Sequence, residues 1–146
     1  MAQEKVLVLI DDTLSSERVA AFAVKLLKAN PALGATLLFV GNHQKVLPSV
    51  PGAGWVSHQE FVELVEKEAE AVFQKALAVF RTEGFGVHSL LVYGEPAEVI
   101  TRLVEEEGYG LVVLSGEGTG DRVHYVLSST VYRLSHLLDM PLVVVK

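Results

Sequence analysis

Residues that can hold phosphate are concentrated near the carboxyl end of the chain. An apolar run, Leu111 to Leu114, leads into a glycine-rich stretch that is followed by three hydroxyl residues and an amphipathic segment. The glycines are Gly116, Gly118 and Gly120, and the hydroxyl residues are Ser128, Ser129 and Thr130. A glycine-rich loop that opens a helix presents backbone N–H groups and the positive end of the helix dipole. This pattern predicts a phosphate-binding loop.

The hydroxyl residues have a simpler interpretation that stays open beside the first. Serine and threonine before a helix cap its first turn without any ligand. Ser128 can therefore cap the helix or donate its hydroxyl to a phosphate oxygen. Glu117 and Asp121 oppose an incoming polyphosphate, whereas Arg122, His124 or a bound Mg²⁺ would offset their charge.

Other site chemistries find little support in the sequence. There is no cysteine, and the five histidines are dispersed without the spacing of metal ligands. Ser115 lacks the flanking residues of a nucleophile elbow, and no Ser–His–Asp set is evident. The glycines follow the fourth apolar run rather than the first, which argues against a dinucleotide fingerprint. We therefore expect no catalytic residues, no metal ligands of the protein's own and no enzyme activity.

Composition narrows the class of protein further. The chain has 146 residues, of which 50% are hydrophobic, and a formal net charge of −6 without a basic stripe. These values predict a single domain over residues 1–146 and no nucleic-acid binding. The apolar run at the amino terminus is too short for a signal sequence, and nothing approaches a membrane span. We expect a cytoplasmic protein.

Apolar runs alternate with amphipathic segments along the whole chain. The runs do not alternate with polar residues, as is typical of strands covered on both faces of a parallel sheet. The predicted strands are Lys5–Ile10, Ala35–Val40, Val87–Val92, Gly110–Leu114 and Leu142–Val145. The predicted helices are Ser16–Ala29, Ser57–Glu83, Pro96–Glu107 and Ser129–Leu138. The order predicts an α/β fold with an open, doubly wound, five-stranded parallel sheet that is Rossmann-like.

The expected binding position follows from this fold. Ligands of open α/β sheets bind beyond the carboxyl ends of the strands. The loops at Asp11-Asp12-Thr13, at Val40-Gly41-Asn42 and over residues 115–129 share one crevice if the first and fourth strands are neighbours. Asp11 contacts a ligand there or only caps the following turn. The irregular segment 42–56 is either a lid over the site or a connector.

Three short motifs mark the two ends and the middle of the chain. The first strand ends in Asp11-Asp12-Thr13, the turn Gly94-Glu95-Pro96-Ala97 stands before the fourth strand, and residues 141–145 read PLVVV. Together they resemble the universal stress protein family over essentially the full length. That family has Asp-Gly-Ser at the first position, Gly-x-Pro-Ala at the second and Pro-Val-Leu-Val-Val at the third.

The resemblance also implies a nucleotide site. Family members that bind ATP carry G-x2-G-x9-G-[S/T], and counting back from Pro141 places Ser115, Gly118 and the pair Ser128-Ser129 on this motif. Two of its glycines are serine in this chain, although the spacing is kept. The resemblance implies that ATP or another adenine nucleotide, with Mg²⁺, binds near Asp11, the backbone of Val40 and the glycine-rich loop. The implied site residues are Asp11, Thr13, Val40, Ser115, Gly116, Gly118, Ser128, Ser129 and Thr130.

The resemblance implies a stress-response or signalling role rather than catalysis. A homodimer is expected, because family members pair their last strand, here Leu142 to Val145, across a two-fold axis. The alternative is a dimeric scaffold that has lost nucleotide binding and acts through protein partners. A small α/β hydrolase is a more distant option.

Overall fold

The computed structural model describes residues 4–11, 15–41, 57–116 and 129–146. Strands and helices alternate throughout this part of the chain. The strands are β1 (Lys5–Leu9), β2 (Gly34–Gly41), β3 (His88–Tyr93), β4 (Leu111–Ser115) and β5 (Leu142–Val145). The helices are α1 (Ser15–Ala29), α2 (His58–Thr82), α3 (Pro96–Glu107) and α4 (Ser129–Leu137). The predicted elements are confirmed, and none of their ends differs from the prediction by more than one residue.

The five strands form one parallel sheet in the order β3-β2-β1-β4-β5. β1 therefore lies at the centre, with β2 on one side and β4 on the other. The chain runs outward from β1 to β3, returns to β4 and runs outward again to β5. This reversal defines an open, doubly wound sheet, so the predicted fold class is confirmed.

The sheet is covered on both faces, which explains why its strands lack polar alternation. Helices α1 and α2 cover one face, around Val8, Leu37 and Phe80, which are fully or almost fully buried. Helices α3 and α4 cover the other face, where Leu38 and Ile100 are 0% exposed.

Local signals in the sequence fix the ends of two helices. The Ser57 side chain accepts a hydrogen bond of 3.1 Å from the backbone N–H of Glu60, as the capping-box spacing predicts. Pro96 occupies the first turn of α3, and the helix ends at Gly108 in the left-handed conformation at φ 75°. Among the helices of the described residues, none is long and apolar enough to cross a membrane.

Candidate functional site

The reversal of strand order brings the two predicted halves of the site to one edge of the sheet. β1 pairs directly with β4, with Val6 opposite Leu111 and Val8 opposite Val113. Asp11 follows β1, and Ser115 is the last residue of β4. Because both strands run in the same direction, Asp11 and Ser115 lie at the same carboxyl edge. The adjacency on which the predicted crevice depends is confirmed.

Asp11 is held by the first turn of α1. Its backbone N–H donates to Ser16 Oγ at 2.8 Å. The Ser16 hydroxyl lies 2.9 Å from the Asp11 carbonyl oxygen and 3.1 Å from Asp11 Oδ1, and it can donate to either. Ser16 is only 8% exposed, whereas Asp11 is half-buried. The Asp11 carboxylate thus contacts the first turn of α1 through the Ser16 hydroxyl.

Ser115 is connected to the same turn. Its hydroxyl donates a hydrogen bond of 2.7 Å to Ser15 Oγ, across 100 residues of sequence. Ser15 is fully buried, and Ser115 is half-buried. The serine that stands at the first glycine of the family motif thus forms a hydrogen bond within the protein and links β4 to α1.

Gly116 serves the sheet. Its N–H donates to the carbonyl oxygen of Val145 at 2.9 Å, which extends the pairing of β4 with β5. That N–H group is therefore committed to the sheet. Any contact of Gly116 with a ligand would use other atoms.

The carboxyl end of β2 forms an apolar wall of the edge. The Val40 side chain is 9% exposed and packs into the core beneath α3 and α4, so Val40 can offer a ligand only its backbone. On the other face Gly41 lies against Tyr93. A Cβ at Gly41 would be 2.7 Å from Val65 Cγ1 and 2.8 Å from Tyr93 Cδ1, so glycine is required by close approach.

Tyr93 is the most polar group of this wall. Tyr93 is 39% exposed, and its ring packs at 6.2 Å, centroid to centroid, on the ring of the buried Phe61. Partial burial, with a smaller contribution from the nearby Glu66 carboxylate, raises the pKa of Tyr93 above 10.0.

The start of α4 presents the hydroxyl residues. Ser129 is exposed and Thr130 is half-buried in its first turn. One turn later, Arg133 Nη1 lies 2.7 Å from Glu95 Oε2. The same Glu95 oxygen accepts the backbone N–H of Glu98 at 2.9 Å and so caps α3.

Three of the predicted site residues lie outside the described residues: Thr13, Gly118 and Ser128. Segment 42–56 and the charged side chains between Glu117 and His124 also lie outside them. Sequence reasoning missed Ser15 and Tyr93. Two adjacent serines at the start of a helix are a signal for Ser15, whereas nothing local distinguishes Tyr93. Within the described residues, no group of three or more His, Asp or Glu side chains is placed to hold a metal ion.

A comparison against protein families agrees with the fold. The model of the universal stress protein family matches residues 3–146, which is nearly the whole chain. The chain therefore belongs to the universal stress protein family. A comparison with curated protein sequences gives no significant match.

Solved structures of the same family share the fold. The universal stress protein UspA from Lactobacillus plantarum is 21% identical, with a TM-score of 0.73 over 100% of this chain and 99% of that one. The universal stress protein from Archaeoglobus fulgidus in complex with dAMP is 17% identical, with a TM-score of 0.65 over 99% of this chain and 98% of that one. A family protein from Arabidopsis thaliana with AMP bound is 15% identical, with a TM-score of 0.69 over 98% of this chain and 91% of that one.

Proposed function

We propose that this chain binds an adenine nucleotide at the carboxyl edge of β1 and β4, and that it acts in a stress response or in signalling as a binding module. The observation that carries the proposal is the direct pairing of β1 with β4, which brings Asp11 and Ser115 to one edge. Relatives of the same fold with dAMP and AMP bound support the choice of ligand.

In the proposed complex the base and ribose lie near Asp11 and the backbone of Val40. The phosphates lie against the loop after Ser115 and the first turn of α4, where Ser129 and Thr130 offer hydroxyl groups. Backbone N–H groups at a helix start and the helix dipole favour an anion there. Mg²⁺ would reduce repulsion between a polyphosphate and the acidic loop. Thr13, Gly116, Gly118 and Ser128 complete the proposed set.

Calorimetric titration with Mg-ATP, AMP and cyclic AMP tests the proposal. Ser129→Ala removes one hydroxyl from the phosphate end and should weaken binding roughly tenfold, as for the loss of one hydrogen bond to a charged group. Ser135→Ala is the matched control, because the Ser135 hydroxyl donates to the Tyr132 carbonyl within the same helix. No heat and no thermal shift with any of the three nucleotides would reject the proposal.

We also propose that the bound nucleotide is not turned over. The residues assigned to the site contain no evident general base that would activate water, so any hydrolysis is slow or incidental. A steady-state ATPase assay is the test. Sustained turnover that Ser129→Ala abolishes would favour the hydrolase instead.

A scaffold without a nucleotide is the second candidate, and one contact favours it. Ser115 bonds to Ser15 at 2.7 Å, so a hydroxyl at the motif's first position is already used inside the protein. Native mass spectrometry of freshly purified protein separates the two candidates. A co-purified adenylate supports the first, and protein mass alone together with silent titrations supports the scaffold.

A homodimer through β5 is part of the proposal. β5 is an edge strand, and all four of its residues are half-buried, so its outer side lacks a partner strand within the described residues. The carbonyls of Pro141 and Val145 accept hydrogen bonds from β4, so alternation along the strand directs the N–H of Val144 outward. Pairing with a second copy would use that outward side.

Light scattering of Val144→Pro tests this interface. Proline removes the outward N–H while leaving the pairing with β4, so we expect a monomer that stays folded. Val143→Pro is the contrasting variant, because it removes an inward N–H and should destabilise the fold. A monomeric unmodified protein at micromolar concentration would contradict the proposal.

The proposed location is the cytoplasm, in keeping with the absence of cysteine.

A further inference from the structure

Two helices start at the edge where the nucleotide is proposed to bind. α3 follows β3 and α4 follows β4, and both strands end at the carboxyl edge of the sheet. The helices also pack against each other, since Ala97 and Ile100 of α3 share one core with Val131 and Leu134 of α4. This core holds the two helices side by side, and Ala97 and Val131 anchor their first turns to it.

One carboxylate oxygen joins the first turn of α3 to the second turn of α4. Glu95 Oε2 accepts the Glu98 N–H at 2.9 Å and also lies 2.7 Å from Arg133 Nη1. Arg133 follows Ser129 by four residues, so both lie on one face of α4. Through Glu95, the face of α4 that carries Ser129 and Arg133 is tied to the cap of α3.

We propose that Glu95 and Arg133 are positioning residues for phosphate: their ion pair orients the first turn of α4 toward the phosphates of the nucleotide. This inference rests on the proposed nucleotide function and names the contact that prepares its phosphate end.

Stability alone is a weak explanation for this pair. The Arg133 and Glu95 side chains are 44% and 36% exposed, and ion pairs this exposed contribute little to folding. A positioning role requires a precise contact, because the N–H groups at a helix start bind an anion only when they converge on it.

The test compares the affinities of Mg-ATP and adenosine by calorimetry, because their ratio isolates the contribution of the phosphates. Glu95→Gln keeps an oxygen that can cap α3 but removes the charge, and Arg133→Gln removes the cation. Each should lower the ratio about fivefold, at the lower end of energetic coupling between sites. The double variant should lose no more than either single variant, because the two residues act as a unit. Arg133→Lys should restore most of the ratio.

Lys28 and Glu83 provide a matched control pair. Lys28 Nζ lies 2.8 Å from Glu83 Oε2, and the side chains are 54% and 41% exposed, but this pair joins the carboxyl ends of α1 and α2. Glu83→Gln should leave the ratio unchanged. If the unmodified protein binds ATP and Glu95→Gln leaves the ratio unchanged or raises it, the inference is overturned.

Amide hydrogen exchange separates this failure from failure of the proposed function. The backbone N–H groups of the second turn of α4, which bond to the carbonyls of its first turn, should exchange faster in Glu95→Gln and in Arg133→Gln, and at the original rate in Glu83→Gln. If no nucleotide binds to the unmodified protein, the proposed function falls and the phosphate role falls with it. The exchange rates then still decide whether the pair holds α4, and equal rates overturn that as well.

Discussion

The hydroxyl of Ser115 donates a 2.7 Å hydrogen bond to the hydroxyl of Ser15, and this bond closes the gap between the last residue of β4 and the first residue of α1. It joins the two chain segments that the reversal of strand order brings together. The fully buried Ser15 thereby gains a partner from another element. The bond therefore links α1 to β4 at the carboxyl edge of the sheet.

Removing this bond should weaken the fold measurably. Ser115→Ala deletes the donor and should lower the free energy of unfolding by about 1 kcal/mol, as is typical for one intramolecular hydrogen bond. Urea denaturation gives the value. Ser135→Ala, which removes an exposed hydroxyl bonded only to its own helix, should change it less. Equal losses in the two variants would mean that the Ser115 bond braces nothing.

Gly41 should not tolerate even one added carbon atom. In Gly41→Ala the Cβ would lie 2.7 Å from Val65 Cγ1 and 2.8 Å from Tyr93 Cδ1, so β2, β3 or α2 must shift. Overpacking of this kind costs about 1–3 kcal/mol, measured by thermal or urea unfolding. Gly86→Ala is the control, because its Cβ would meet no atom within 4 Å and should not destabilise. An unchanged midpoint for Gly41→Ala would contradict the packing described.

The cap of α2 should be worth a measurable part of the stability. Ser57→Ala removes the acceptor for the Glu60 N–H and should cost about 1 kcal/mol of unfolding free energy. Ser57→Asp keeps an acceptor at the same place and should stay close to the original protein. If alanine and aspartate behave alike, the capping contact contributes nothing.

Tyr93 should make stability decline at high pH. Because its pKa is raised above 10.0 in the folded protein, the unfolded chain loses this phenol proton first as the pH increases. The folded state then holds more protons, so the contribution of Tyr93 is complete below pH 10.0 and is lost as the pH rises through the folded pKa. Tyr93→Phe should reduce the decline in unfolding free energy above that pH.

Absorbance of the phenolate in the ultraviolet measures the same shift directly. The difference between titrations of the protein and of Tyr93→Phe should show a group that ionises later than a free phenol. Glu66→Gln should bring its pKa down only slightly, since burial is the larger cause. A difference curve centred at or below the ordinary phenol pKa would contradict the burial of Tyr93.

The fold was predictable from the sequence because its signals are local. Unbroken apolar runs indicate strands covered on both faces, and the Ser57–Glu60 spacing and Gly108 mark helix ends within a few residues. The family motifs then indicated the edge of the sheet at which the candidate site is proposed. The order of the strands required the structure, because nothing in β1 states that β4 rather than β5 lies beside it.

The side-chain contacts around the candidate site were harder to predict from the sequence. Ser15 and Ser115 are separated by 100 residues, and their bond exists only once α1 and β4 are packed. Glu95 was visible as part of a turn motif, yet its pairing with Arg133 depends on the packing of α3 against α4. Side-chain partners of this kind follow from tertiary geometry, and residue type alone does not specify them.

The central place of β1 has a consequence for how the chain matures on the ribosome. Its first neighbour, β2, is made soon afterwards, but its second, β4, begins at Leu111. At about 5–20 residues per second, translation leaves one side of Val6–Val8 without its backbone partner for roughly 5–20 seconds. A nascent chain that stalls in that interval exposes the unpaired edge of β1. We expect the chain to be most prone to wrong strand pairing and aggregation at that stage.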